Sequence, residues 1–373
     1  MMHINTSSKV ASFFHGKSRY FIRILWVVAA VASTCILFRA SLPPLHPPNI
    51  TALLPSSETI PRKNMTELLD VNDIPPSEGR KVPVVAKFKD QSVSYSLIAP
   101  LEEEFCRHTN VLILVISRPD GFRNRKAMRD SWIYYEDNPK NVTVKFLIGR
   151  TNNTKVNLGL EEETQSFMDI VRYDYTDKYE LLPLKVHAAF AFKEEFCPSA
   201  KYFMKTDDDT VVDLNRMNHF IETNYNEKYL KTPKMFLCSV YSGMKPHRDK
   251  GSKYYVPPSL YEPEDYPSFC QGCTYMASSD GIRAVLEKTA ETNFLYLEDV
   301  LFTGIVAESA NVTRYDTLNY GHYVRIYAYH KTLPRVRCDE HGQPLPIAIY
   351  GVRAYFMYKS FKRMLLQQCE KGS

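Results

Sequence analysis

The sequence predicts an α/β fold built on a parallel sheet, set behind an apolar anchor and an extended stem. Three observations carry this. From Cys106 onward, short apolar runs alternate with helix-forming stretches, the pattern of a sheet covered on both faces by crossover helices. Near the N-terminus, Ile24 to Phe38 (ILWVVAAVASTCILF) holds no charge. Between them, Pro43, Pro44, Pro47, Pro48, Pro55, Pro61, Pro75 and Pro76 interrupt a stretch rich in Ser, Thr and Asn, which cannot bury enough apolar area to offset its chain entropy.

The apolar run is extended by Tyr20, Phe21 and Ile22, with Arg23 placed to snorkel from a helix end. A bilayer needs about 20 residues, so the run is a short span. Lys9, Lys17, Arg19 and Arg23 precede its uncharged core and no acidic residue does, which leaves the N-terminus in the cytosol. Ala30 and Ala32 form a possible signal-peptidase site, but the apolar run continues to Phe38, favouring an uncleaved anchor. The expected organisation is a cytoplasmic tail (1–19), a transmembrane signal-anchor (20–39), a Pro-rich lumenal stem (40–100) and a catalytic domain (101–373).

Other signals agree on the compartment. Glycosylation sequons start at Asn49, Asn64, Asn141, Asn152 and Asn311, beyond the span, and one at Asn5 precedes it. Seven of the 8 cysteines also lie beyond the span, so disulfides with one thiol left over are expected. The net charge of +5 is spread along the chain, with no basic stripe of the kind nucleic acid requires.

The elements follow in order. Val93 to Ile98 is a short strand at the domain's edge. Val111 to Ser117 (VLILVIS) is a continuous apolar run, hence a strand buried on both faces. Arg123 to Tyr135 reads as a helix, Val142 to Ile148 as a strand, and Leu158 to Ile170 as a helix with an acidic start. Leu181 to Phe196 is a further helix, and Tyr202 to Lys205 is a strand ending on Thr206 and three aspartates. Cys106 and Cys197 each precede a strand. In a doubly wound sheet the first and fourth strands are parallel neighbours, so these two cysteines are expected to bond. Cys270 and Cys273 form a C-x-x-C pair without a second pair at zinc spacing, which favours a disulfide role.

Asp207, Asp208 and Asp209 fall at the C-terminal end of a buried strand, where open α/β sheets place ligands. Adjacent carboxylates repel unless a cation or solvent screens them. Hard oxygen ligands suit Mg²⁺ or Mn²⁺ held jointly with phosphates; the bland alternative is a solvated acidic turn. Glu298 and Asp299 open a helix over Val300 to Glu308, either as a cap and first-turn charge or as a general base. Arg125 and Arg129 share a helix face and serve either a diphosphate or nearby carboxylates. Trp132 reads as core.

Four blocks then match one family in its own order. They are Arg125 to Trp132 (RKAMRDSW), Tyr202 to Asp209 (YFMKTDDD), Tyr266 to Ser278 (YPSFCQGCTYMAS), and Glu298 to Val300. With them the chain resembles the β-1,3-galactosyltransferase and β-1,3-N-acetylglucosaminyltransferase family of Golgi type II enzymes. The resemblance implies a GT-A-type, Rossmann-like fold and an inverting transfer from UDP-galactose or UDP-N-acetylglucosamine to a glycan acceptor on a glycoprotein or glycolipid. It implies Asp299 as the base, and Mn²⁺ or Mg²⁺ held by Asp207, Asp209 and His330. Asp207, Asp208, Arg125 and Arg129 would face the nucleotide-sugar, and Tyr266, Gly272 and Glu298 the acceptor. His330, in HKTLP, is read equally as a satisfied histidine. A non-catalytic lumenal chaperone or sugar-binding relative is the alternative; retention of Asp207, Asp209 and Asp299 favours the enzyme. Leu181, Pro183, Phe269 and Thr274 depart from the family pattern at positions expected near donor or acceptor.

Overall fold

The computed structural model describes residues 81–98, 106–317, 321–325 and 335–370. The anchor, Asn49, Asn64 and His330 lie outside the described residues. Among the described residues no helix is long and apolar enough to cross a membrane.

The strands in chain order are β1 (Lys81–Lys87), β2 (Ser92–Ile98), β3 (Val111–Ile116), β4 (Val142–Arg150), β5 (Ile170–Thr176), β6 (Tyr202–Asp207), β7 (Val211–Val212), β8 (Met235–Cys238), β9 (Val240–Tyr241), β10 (Phe269–Cys270), β11 (Thr274–Ser278) and β12 (Thr313–Asp316). Three short strands follow before the C-terminal helix: β13 (Tyr323–Arg325), β14 (Arg335–Val336) and β15 (Ala348–Tyr350). The helices are α1 (Phe122–Met128), α2 (Thr154–Phe167), α3 (Leu182–Phe196), α4 (Leu214–Phe220), α5 (Asn226–Lys231), α6 (Ser279–Lys288) and α7 (Met357–Leu365).

Nine strands make one sheet in the order β1-β2-β5-β4-β3-β6-β11-β8-β12. Its centre, β5-β4-β3-β6, is parallel. Around that centre β2 pairs with β5, and β11 with β6, in antiparallel fashion. The sheet is therefore mixed, where an all-parallel one was expected. Strand β5 follows directly on the stretch whose pattern predicts one helix from Leu158 to Ile170. Asn153 caps α2 earlier, its side chain accepting from the Val156 amide. Met168 ends the helix in the left-handed region at φ 55°, and Ile170 opens β5. The sheet also begins at Lys81, inside the stretch read as stem.

Alternation along β3 builds the core. Leu112 and Leu114 join the α3 side, with Ala188, Ala189 and Phe192. Val111, Ile113 and Val115 join the other side, with Met128, Trp132 and Phe361. With both faces covered, every residue of β3 is buried. The register then sets the site. Asp207 stands opposite Ile116 of β3, and Thr206 opposite Thr274 of β11. The ends of β3 and β6 and the loop entering β11 therefore meet at one edge.

Cys106 and Cys197, at the starts of the neighbouring strands β3 and β6, are bonded with Cα atoms 5.4 Å apart. Cys238 bonds to Cys270, and Cys338 to Cys369. The C-x-x-C pair is not a disulfide: Cys270 reaches across to Cys238, which leaves Cys273 free. Peptide mapping under non-reducing conditions is expected to recover these three bridges and an alkylated Cys273. A Cys270–Cys273 peptide would contradict the fold's account of that loop.

Candidate active site

Asp207 ends β6, and Asp208 and Asp209 occupy the turn beyond it. The three side chains have separate environments. Asp208 points back into the protein, accepting from Ser117 Oγ at 2.7 Å and Asn124 Nδ2 at 2.9 Å. Gly121 must be small here, because a Cβ would meet Asp208 Oδ2 at 3.0 Å and Ser117 Oγ at 2.8 Å. Asp207 is partly open to solvent, its side chain 41% exposed, with Oδ1 2.7 Å from Lys205 Nζ. The Asp209 backbone oxygen accepts from the Val352 amide at 2.7 Å, which ties the turn to the segment after β15.

Lys205 is the centre of the site. It sits on β6 with a side chain only 1% exposed. Its ammonium meets Asp207 Oδ1, Glu298 Oε1 at 3.2 Å and the Gly272 carbonyl. One cation thus joins the strand end, the loop before β11 and the loop carrying Glu298 and Asp299. Burial alone would depress this ammonium, but Asp207 and Glu298 outweigh it and hold the proton on. Glu298 is itself buried at 4% exposure, with the Tyr275 hydroxyl 3.4 Å away. It is a structural partner of Lys205, where the sequence suggested an acceptor contact. Asp299 is the neighbour left partly open. Its Oδ1 accepts from the Val300 amide at 2.9 Å. A Cβ on Gly272 would lie 2.8 Å from Asp299 Oδ2. Gly272, expected at the acceptor, makes room for this carboxylate.

The arginines take the carboxylate alternative. Arg125 is fully buried and forks onto Glu163, with Nη2 at 2.6 Å. It also donates from Nη1 to Ser117 Oγ at 3.1 Å. Arg129 spans Glu163 and Asp169 at 2.6 and 2.7 Å. Both stand behind the site, and neither is presented to a nucleotide-sugar. Trp132 is also buried, donating from Nε1 to the Thr210 carbonyl at 3.1 Å, and so supports the turn after the aspartates. Tyr266 is buried against Tyr261 and Phe269 rather than open to a ligand. Asn152 and Asn311 are exposed, whereas Asn141 is half-buried and donates to Asn218 Oδ1 at 3.3 Å.

Ser117 and Asn124 carry no sequence signal for the site, whereas Asp177 and Lys185 are the ends of a segment resembling one the family places near donor or acceptor. Lys185 Nζ is 2.5 Å from Asp177 Oδ2 and donates to the Ser117 carbonyl at 2.7 Å. This brings the start of α3 under the aspartate turn. A lysine inside an apolar strand or helix is the signal that could have found Lys205 and Lys185, because a buried ammonium requires a carboxylate nearby.

The acidic groups of the site share one electrostatic condition. Burial, then the charges of Asp207 and Asp208, push Asp209 up to about 6. Burial raises Glu298 to about 7 against the pull of Lys205. Asp299 is also raised, first by burial. Among the described residues no three His, Cys, Asp or Glu side chains form a metal cage. Asp207 is held by Lys205 and Asp208 by Ser117 and Asn124, so Asp209 is the least committed carboxylate. Such a set fits a hard cation held by one or two carboxylates together with phosphate oxygens, as Mg²⁺ is commonly held.

Two outcomes follow. Lys205→Met leaves Glu298 and Asp207 without their cation and is expected to lower unfolding stability by about 3–5 kcal/mol in urea titrations. A Lys205→Met/Glu298→Gln double variant should recover part of that loss. Asp209 and Glu298 have raised folded pKa values, so the folded chain holds protons that the unfolded chain has released. Their contribution is therefore greatest below the unfolded carboxylate range and is lost as pH rises through about 6 to 7. Unfolding free energy from urea titrations should therefore fall between pH 5 and pH 7.5 in the parent and fall less in Asp209→Asn; equal slopes in the two would contradict the raised Asp209.

A family model described as Galactosyltransferase matches residues 123–318. β-1,3-Galactosyltransferase 1 of Homo sapiens is 30% identical over 223 residues, covering 58% of this chain and 66% of that protein. Lactosylceramide 1,3-N-acetyl-β-D-glucosaminyltransferase A of Xenopus laevis is 30% identical over 229 residues, covering 58% of this chain and 59% of its own. The match thus spans slightly under two thirds of these relatives. A solved glycosyltransferase involved in glycosylation of the major capsid of PBCV-1 aligns with 68% of this chain at 11% identity and a TM-score of 0.36. The family match takes in α1, the aspartate turn, Lys205, Gly272 and Asp299, and the chain belongs to the galactosyltransferase family.

Proposed function

We propose that this protein is an inverting glycosyltransferase of GT-A type. It moves galactose or N-acetylglucosamine from a UDP-sugar to a glycan hydroxyl in β-1,3 linkage. The observation that carries the reading is the Lys205 junction, which sets the aspartate turn beside the Glu298–Asp299 loop. The relatives' names supply the donor and linkage.

In this reading Asp207 and Asp209 face the diphosphate end, and a bound Mn²⁺ or Mg²⁺ would neutralise charge on the departing diphosphate. His330 remains a proposed further ligand. Asp208 keeps the turn in place through Ser117 and Asn124. Asp299 takes the proton from the acceptor hydroxyl as its oxygen attacks the anomeric carbon. Its partial burial raises its affinity for that proton. Attack from the face opposite the leaving UDP inverts the anomeric centre in one displacement, so one carboxylate base suffices. The N-terminal apolar run and the sequons support a single-pass type II protein of the Golgi membrane with a lumenal catalytic domain.

Incubation with a panel of UDP-sugars and glycan acceptors, followed by NMR of the product anomer, tests the reading. A β-linked product from an α-linked donor is expected; no turnover on any pair, or retained configuration, would overturn it. Asp299→Asn should lower transfer by about 10³-fold or more while UDP still binds. Asp209→Ala should lose both transfer and metal-dependent UDP binding. Gly272→Ala should cut kcat by about tenfold or more by displacing Asp299, and unchanged kcat would remove the role assigned to that glycine.

A further inference from the structure

The nine-stranded sheet has two terminal strands, and they differ in how their edges are guarded. Strand β12 ends the sheet and pairs, among the described residues, with β8 alone. The Thr313 and Thr317 amides donate toward that side, to the Lys234 and Cys238 carbonyls. Successive residues of a strand direct their backbone groups to opposite sides, so Arg314 turns its amide to the outer edge. Such an edge invites pairing with another chain unless something guards it. The opposite terminal strand, β1, has Pro83 inside it and Lys81 and Lys87 at its ends. Strand β12 has neither residue type, and its charged side chains are committed elsewhere. Arg314 Nη1 donates to the Thr303 and Gly304 carbonyls, both at 3.2 Å. Asp316 Oδ1 accepts from the Val240 amide at 3.1 Å.

The sequon Asn311–Val312–Thr313 opens this strand. It follows a helix end, where the Asn311 amide donates to the Glu308 carbonyl at 3.1 Å and the Val312 amide to the Ala307 carbonyl at 2.8 Å. Asn311 takes the left-handed conformation, φ 52°, which asparagine adopts more readily than most residues. Val312 is 3% exposed and pins the middle of the tripeptide, with Asn311 and Thr313 exposed on either side of it. A cleft of about 510 Å³ takes in the sequon and is lined further by Val240, Ser268, Glu308 and Arg314. Small-ligand sites run from roughly 300 to 1,000 Å³, so the cleft has room for sugar rings. Ser268, Thr313 and Glu308 offer hydroxyl and carboxylate partners to sugar hydroxyls. We propose that Asn311 carries an N-linked glycan whose inner sugars lie in this cleft and cover the outer edge of β12. The modification joins Asn311 Nδ2 to the anomeric carbon of an oligosaccharide carried on a lipid diphosphate. The sugar–phosphate bond breaks, the lipid diphosphate departs, and one amide proton is released. The inference rests on the lumenal placement proposed above and does not require the transfer reaction.

The test uses the full chain made in secretory cells. Release of glycans by an N-glycosidase in ¹⁸O-water should convert Asn311 to ¹⁸O-labelled aspartate, read by mass spectrometry of its peptide. Conversion at exposed Asn152 but not at Asn311 would overturn this proposal alone. Conversion at none of Asn49, Asn64, Asn152 and Asn311 would overturn the lumenal placement with it. For the edge, Asn311 is kept, because its left-handed backbone strains most replacements, and Thr313 is varied instead. Thr313→Ala removes the sequon, and Thr313→Ser preserves it. In dilute solution the β12 amides of Thr313→Ala are expected to exchange with solvent about tenfold faster than those of Thr313→Ser. Exchange in β3 should match in the two variants, which separates lost cover from a loosened fold. Equal exchange in β12, with Asn311 occupied in Thr313→Ser, would overturn the covering role.

Discussion

A single buried ammonium, Lys205, ties the two acidic segments of this protein to each other. The segments are far apart in sequence, at residues 207–209 and 298–299. No backbone ladder joins β6 to the Asp299 loop. The connection is made by the lysine, which holds Asp207, the Gly272 carbonyl and Glu298 from one position on a buried strand. Such a group is a poor source of net stability, because removing charges from water offsets most of their attraction. Its value is directional: three acceptors from three segments are satisfied only when those segments are correctly placed.

The opposite wall is built on the same principle with arginines. Arg125 and Arg129 share Glu163, Arg129 continues to Asp169, and Arg125 passes a hydrogen bond through Ser117 to Asp208. A buried ionic network therefore sits behind the aspartate turn on each side. The carboxylates of the turn are held apart from one another by partners of their own, with Asp209 the least committed. Concentrating negative charge in partly dry surroundings raises its proton affinity, and the same field would favour a cation arriving with a diphosphate.

The outline of this arrangement was readable from residue type, and its internal wiring was not. The strands around Val111 and Tyr202 are continuous apolar runs, and their adjacency follows from doubly wound topology, which makes the Cys106–Cys197 bond legible in the sequence. Strand β5 was missed because IVRYDYT carries Arg172 and Asp174 in an apolar stretch and follows directly on a helix. Val93 to Ile98 was legible as a strand, β2, but its antiparallel direction was not, because a single strand carries no mark of its direction. Arg125 and Arg129 showed correct spacing for a shared face, but spacing cannot say whether that face meets ligand or core. Long-range partners such as Glu163 decided it.

The departures from the family pattern raise a last question, where donor and acceptor preference is encoded. Thr274 replaces a glycine, yet it is buried and paired in register with Thr206 inside the sheet. Phe269 is buried against Tyr241 and Tyr266. Leu181 is buried, and Pro183 occupies the first turn of α3, where a missing amide costs nothing. All four are absorbed by the core or a helix start. Side chains that do reach solvent near the base are different ones. Tyr179 is exposed and feels the charges of Lys253, Asp299 and Glu298, and Tyr254, which shares that neighbourhood, is exposed as well. Aromatic faces beside a general base can select an acceptor by shape without taking part in proton transfer. Specificity in this chain is therefore better sought in its exposed tyrosines than in its departures from the family pattern.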